Sequence, residues 1–70
     1  MKEFSLGGTD HIKLCDLLNV TGLCANGGTA KHVIDEGAVK VDGTVDTRKR
    51  AKILPGQVVE YEGNQIKVVK

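Results

Sequence analysis

The sequence predicts an α+β fold: two short helices packed on a small, mainly antiparallel sheet. Three observations predict it. Two segments carry apolar side chains at helical spacing, Leu14, Cys15, Leu17 and Leu18 in one and Ala30, Val33 and Ile34 in the other. Three stretches, around Phe4, from Val39 to Val45 and from Val59 to Val68, alternate apolar and polar residues between turn signals rich in glycine. The chain has 70 residues, 40% of them hydrophobic, and a domain of that size buries only about 60% of the surface its unfolded chain exposes, enough for one thin core.

In order along the chain, Phe4-Ser5-Leu6 alternates and is cut off by Gly7-Gly8, which reads as a short strand laid on a sheet. Thr9 and Asp10 offer N-cap oxygens to the segment IKLCDLLNV, whose apolar stripe leaves Lys13, Asp16 and Asn19 on the opposite face and which ends near Gly22. Asn26 caps a second helix from Gly27 to Glu36, and Gly37 supplies its left-handed terminal residue. Val39-Lys40-Val41 and Thr44-Val45 form a tight hairpin about Asp42-Gly43, with Lys40 outward. Residues 46–52 are polar and irregular, and Pro55-Gly56 turns the chain into a last hairpin. A loop at Gly63-Asn64 pairs Tyr61 with Ile66, Val59 with Val68, and Glu60 with Lys67; the apolar four share the face that covers the helices. The expected unit is one domain over residues 1–70.

Composition excludes several classes of function. With one Phe, one Tyr and no Trp, recognition of single-stranded bases on several stacked rings is nearly excluded. No run is long and apolar enough to span a membrane, and MKEFSLGG lacks the apolar stretch of a leader, so the chain reads as a cytoplasmic protein. Cys15 and Cys24 match no zinc spacing and read as two thiols in a reducing compartment, a disulfide between them staying open. His11 and His32 lie on separate elements with no nucleophile turn beside them, and the glycine pattern is neither a phosphate loop nor a dinucleotide fingerprint, so no catalytic residues, cofactor or metal are assigned.

Charge is informative only in its distribution. The net formal charge is +1, yet Lys31, Lys40, Arg48, Lys49, Arg50 and Lys52 crowd into the middle of the chain. Three adjacent cations, Arg48-Lys49-Arg50, repel one another, and an anionic partner removes that cost; a solvated loop is the plainer alternative. Gly27 and Gly28 each lower helix propensity by about 1 kcal/mol relative to Ala. They either bare backbone N–H groups to a phosphate or merely turn the chain between two helices. His32, beside Lys31, is either a surface residue or a phosphate contact.

At these residues the chain resembles a known family. Asn26-Gly27-Gly28-Thr29-Ala30-Lys31, Val33-Ile34, Gly37, Val39-Lys40-Val41-Asp42-Gly43 and Pro55-Gly56-Gln57-Val58-Val59 resemble the small RNA-binding domain first described in the fourth protein of the small ribosomal subunit. The likeness covers about Ile12 to Tyr61. The F-S-L start, L-C-D-L-L, V-K-V-D-G and T-R-K-R-x-K-I together look like its stand-alone bacterial members. The resemblance implies an αL motif, in which the second helix and the loop and hairpin after it form an L-shaped surface for structured RNA. Carried over by position, it implies RNA contacts at Gly27, Gly28, Thr29, Lys31, His32, Lys40, Arg48, Lys49, Arg50 and Lys52. One departure stands out: where many members have Ser-Arg at the start of the second helix, this chain has Asn26-Gly27, which removes a cation there.

The expected function is therefore that of a non-enzymatic, cytoplasmic, ribosome-associated bacterial RNA-binding protein. It is expected to be a monomer that contacts structured RNA, ribosomal or transfer, by shape and phosphate backbone, with no cofactor, no membrane and no small-molecule substrate. The alternative is a protein-interaction module in a ribosome-associated or RNA-processing complex, using the same surface against an acidic protein.

Overall fold

The computed structural model describes residues 2–70, and Met1 of the expected 1–70 unit lies outside them. Alternation along the chain produces strands β1 (Lys2–Ser5), β2 (Ile12–Lys13), β3 (Val39–Val41), β4 (Thr44–Val45), β5 (Lys52–Ile53), β6 (Val58–Tyr61) and β7 (Asn64–Val69). The two apolar stripes produce helices α1 (Leu14–Val20) and α2 (Gly27–Asp35). A five-stranded sheet runs in the order β1-β7-β6-β3-β4, and β2 pairs with β5 in a separate two-stranded ladder. All pairings are antiparallel except β1 with β7, which makes the mainly antiparallel α+β architecture that the patterning predicts.

The helices cover one face of the large sheet. Leu14, Leu17, Leu18, Ala30 and Ile34 from the helices meet Val39, Val59, Ile66 and Val68 from the strands, all fully buried. Alternation decides which side chains take part: Val59, Ile66 and Val68 are inward, and Glu60 and Lys67 lie outward. Burying a Leu, Ile or Val side chain stabilises by about 1.5–3 kcal/mol, so this cluster supplies most of what holds the domain together.

Helix α2 forms as its ends predict. The Asn26 side chain accepts the Thr29 N–H at 2.9 Å, and at the other end Gly37 (φ 79°) lets its own N–H reach the Ile34 carbonyl and the Ala38 N–H reach that of Val33. Helix α1 begins differently from expectation. Thr9 and Asp10 do not cap it; the Thr9 hydroxyl donates to the Leu6 carbonyl at 2.9 Å, and the N-cap is Lys13, without a side-chain cap bond. Ile12 and Lys13 are drawn into the ladder with β5, so the helix starts only after that pairing ends.

The last hairpin also differs. Its turn is Glu62-Gly63, both with positive φ (51° and 79°), and the pairs are Tyr61 with Asn64, Glu60 with Gln65, Val59 with Ile66 and Val58 with Lys67. The expected Glu60–Lys67 pairing is thereby replaced: Glu60 stands between Lys40 and Gln65, and Lys67 between Val58 and Glu3. The shift is even in residue number, so the inward and outward faces are those expected. Residues 46–52 are not wholly irregular, because Lys52 belongs to β5.

Candidate nucleic-acid interface

The basic segment after β4 is tied to the start of α1 by its backbone. The Leu14 N–H donates to the Ala51 carbonyl at 2.9 Å and the Cys15 N–H to the Lys49 carbonyl at 3.1 Å, while the Ala51 N–H closes a turn onto Arg48 at 3.1 Å. Buried Ala51 and Ile53 anchor the segment in the core. Residues that the sequence read as a loop are thus held in place, and the Lys49, Arg50 and Lys52 residues are exposed. Among the described residues the ion pairs are His32–Glu36 and Arg48–Asp46; Lys49, Arg50 and Lys52 take part in neither.

Arg48 differs from its neighbours. Its guanidinium grips Asp46 through Nε at 3.1 Å and Nη2 at 2.8 Å, and its backbone N–H donates to the same carboxylate at 2.9 Å. The Arg48 side-chain hydrogen bond is the main cause that holds the Asp46 carboxyl below the usual carboxylate range, against the opposing effect of partial burial. Asp46, placed by its N–H on the Val39 carbonyl at 3.1 Å, therefore offsets one charge of the basic run.

On α2, Thr29, Lys31 and His32 are exposed beside Gly28, and Gly27 is half-buried. A Cβ at Gly28 would lie 3.3 Å from the capping Oδ1 of Asn26, whereas one at Gly27 would meet nothing within 4 Å. The cap accounts for the absence of a side chain at Gly28, and no contact within the chain accounts for it at Gly27. His32 Nε2 lies 3.2 Å from Glu36 Oε1 on the solvent side of the helix. Lys40 is exposed between buried Val39 and half-buried Val41, so it stands on the sheet face away from the core, opposite Glu60 and Val45. The structure thus brings Lys49, Arg50 and Lys52 together at the start of α1 and sets Lys40 on the outer face of the sheet.

Two groups went unrecognised in the sequence. Lys13, assigned to the polar face of a helix, is directly opposite Lys52 in the β2–β5 ladder. Asp42, read as a turn residue, is also a junction. Its carboxylate accepts the Val58 N–H at 2.9 Å and the Gln57 amide at 3.2 Å, and Gln57 in turn accepts the Leu54 N–H at 2.8 Å. That network ties the D-G turn of the first hairpin to the P-G-Q turn. The co-occurrence of the two motifs was visible, but not the contact between them.

A small α+β domain that holds exposed cations on a backbone-anchored segment, outside the ion pairs among the described residues, presents a surface able to meet an anionic partner. The chain belongs to the S4 domain family, whose pattern matches residues 4–69. It is 52% identical over 69 residues to YbcJ of Escherichia coli, named as a candidate RNA-binding protein, with 99% of each chain covered. The solution structure of YbcJ from E. coli superposes with a TM-score of 0.77 at 51% identity, covering all of this chain and 89% of that one, and is described as revealing an αL motif involved in RNA binding. A tyrosine–tRNA ligase of Trichormus variabilis is 40% identical over 70 residues, which span 97% of this chain and 17% of the ligase.

Proposed function

We propose that the chain is a non-enzymatic RNA-binding protein that contacts folded RNA through phosphate groups, the whole chain acting as one domain with its motif core at about residues 12–61. The observation that carries this reading is the backbone attachment of the basic segment to α1. Holding Lys52 in the β2–β5 ladder, and Lys49 and Arg50 in the turn whose Lys49 and Ala51 carbonyls bond to α1, lowers the entropy lost when they meet a ligand. The small number of rings favours contact with the RNA backbone over stacked bases. The proposed contacts are Gly27, Gly28, Thr29, Lys31 and His32 on α2, Lys40 on β3, and Arg48, Lys49, Arg50 and Lys52. Kinship with YbcJ and with part of a tRNA ligase supports structured RNA, ribosomal or transfer, as the partner. The proposed setting is the bacterial cytoplasm, on the ribosome or its precursors, with the protein acting as a monomer.

Fluorescence anisotropy of a labelled RNA hairpin tests the reading. Wild-type protein is expected to bind saturably, with log K falling against log[salt] at a slope of roughly −3 to −5 for four to six phosphate contacts. Combined Lys49→Ala, Arg50→Ala and Lys52→Ala should abolish the signal while the melting temperature barely moves. Absence of saturable binding by the wild type at low salt, together with capture of an acidic protein, would establish the interaction-module alternative instead.

A further inference from the structure

Two lysines face each other across the β2–β5 ladder. Ile12 is opposite Ile53 and Lys13 opposite Lys52; Ile53 is buried and Ile12 packs against the core, so alternation sends both lysines to the other side, where both are exposed. Directly opposed residues of an antiparallel pair have Cβ atoms about 4.5–5.5 Å apart, and like charges placed there are destabilising. Lys13 carries a second penalty. It is the N-cap of α1, makes no cap bond, and adds positive charge at the positive end of the helix. The acids nearest Lys13 in sequence, Asp10 and Asp16, each lie three residues away, yet among the described residues Lys13 and Lys52 belong to none of the ion pairs. Folding stability therefore gives no reason for this pair, and an anion between the two ammonium groups gives one.

We infer that Lys13 and Lys52 form a clamp for one phosphodiester group of the bound RNA. The inference rests on the RNA reading above and adds Lys13 to the surface. A phosphodiester presents two non-bridging oxygens, one for each ammonium group, and its charge removes the repulsion between them. The first N–H groups of α1 do not share in this, since the Leu14 and Cys15 N–H groups are taken by the Ala51 and Lys49 carbonyls. Lys49, exposed on the segment whose carbonyl bonds to Cys15, adds a third cation to this end of the chain's surface.

The test is Lys13→Gln and Lys13→Glu in the full chain, read by anisotropy with the folded RNA hairpin and by melting temperature without RNA. Lys13→Gln should weaken RNA binding about three- to tenfold and make the salt slope shallower by roughly 0.7–0.9, the loss of one phosphate contact. Lys13→Glu should weaken binding further and yet raise the melting temperature of the free protein by about 1–5 °C, because it places opposite charges across the ladder. Opposite signs for binding and stability mark a functional pair. If the wild type binds RNA and both variants bind equally well with an unchanged slope, the clamp is refuted and the RNA reading stands. If the wild type fails to bind, the RNA reading fails and the clamp with it.

Discussion

Arg48 is held by Asp46 through two side-chain hydrogen bonds, Nε to Oδ1 at 3.1 Å and Nη2 to Oδ2 at 2.8 Å. The cations of the basic run are therefore unequal. The Arg48 side chain is 78% exposed, so the pair contributes little to stability, but binding an RNA phosphate through Arg48 requires loosening it. Arg48→Ala alone should cost less RNA affinity than Arg50→Ala or Lys49→Ala. Asp46→Ala, which frees the guanidinium and removes a negative charge, should raise affinity about two- to fivefold at low salt. Anisotropy titrations of the four single variants check the order.

The same pair sets a pH dependence. Asp46 has its carboxyl pulled below the usual range in the folded chain, first by the Arg48 side-chain hydrogen bond. A depressed carboxylate contributes stability that is fully present above its unfolded value and is lost as pH falls through its folded value. The melting temperatures of wild type and Asp46→Asn should therefore differ at neutral pH and converge in acid below the ordinary carboxylate range. Parallel curves down to that region would show that the pair makes no contribution.

Local signals in the sequence were reliable where the structure is local. Asn26, Gly37 and the Asp42-Gly43 turn are read correctly because each acts within a few residues. The start of α1 is not legible locally, because Ile12 and Lys13 are claimed by Ile53 and Lys52, a partnership across more than half of the chain that no local pattern announces. Sequence composition favours Gly63-Asn64 as the last turn, whereas the structure places it at Glu62-Gly63 because Glu62 accepts φ 51°. The faces were still right, since alternation survives an even shift. For the site, the clustering of cations was legible. Its neutralisation at Arg48 and its extension to Lys13 depend on tertiary placement.

The junction at Asp42 should be structural. Gln57→Ala removes the amide that reaches Asp42 and the acceptor for the Leu54 N–H, and should cost about 1–2 kcal/mol in urea denaturation. Asp42→Ala should cost more, since it also loses the acceptor for the Val58 N–H and places Ala at φ 53°. Neither variant should alter the salt slope of RNA binding under conditions where it is folded.

Burial, with Glu62 second, pushes the Cys24 thiol up from its ordinary value, and both cysteines are free and buried. Reaction with an exposed-thiol reagent should be slow in the native protein, with a rate that follows the opening equilibrium through urea. Rapid reaction of Cys24 in the native state would mean that this part of the core opens far more readily than the rest.

The glycine pair at the start of α2 can be separated by single substitutions. Gly27 has φ outside the left-handed region and open space where a Cβ would go, whereas a Cβ on Gly28 would crowd the Asn26 oxygen at 3.3 Å. Gly27→Ala should therefore stabilise the protein by up to about 1 kcal/mol. Gly28→Ala should gain less or lose, because the cap must shift. If RNA phosphates approach the backbone here, Gly27→Ala weakens binding while raising stability; unchanged RNA affinity in the stabilised variant would move the contact away from this turn, toward Lys31 and the cations around α1.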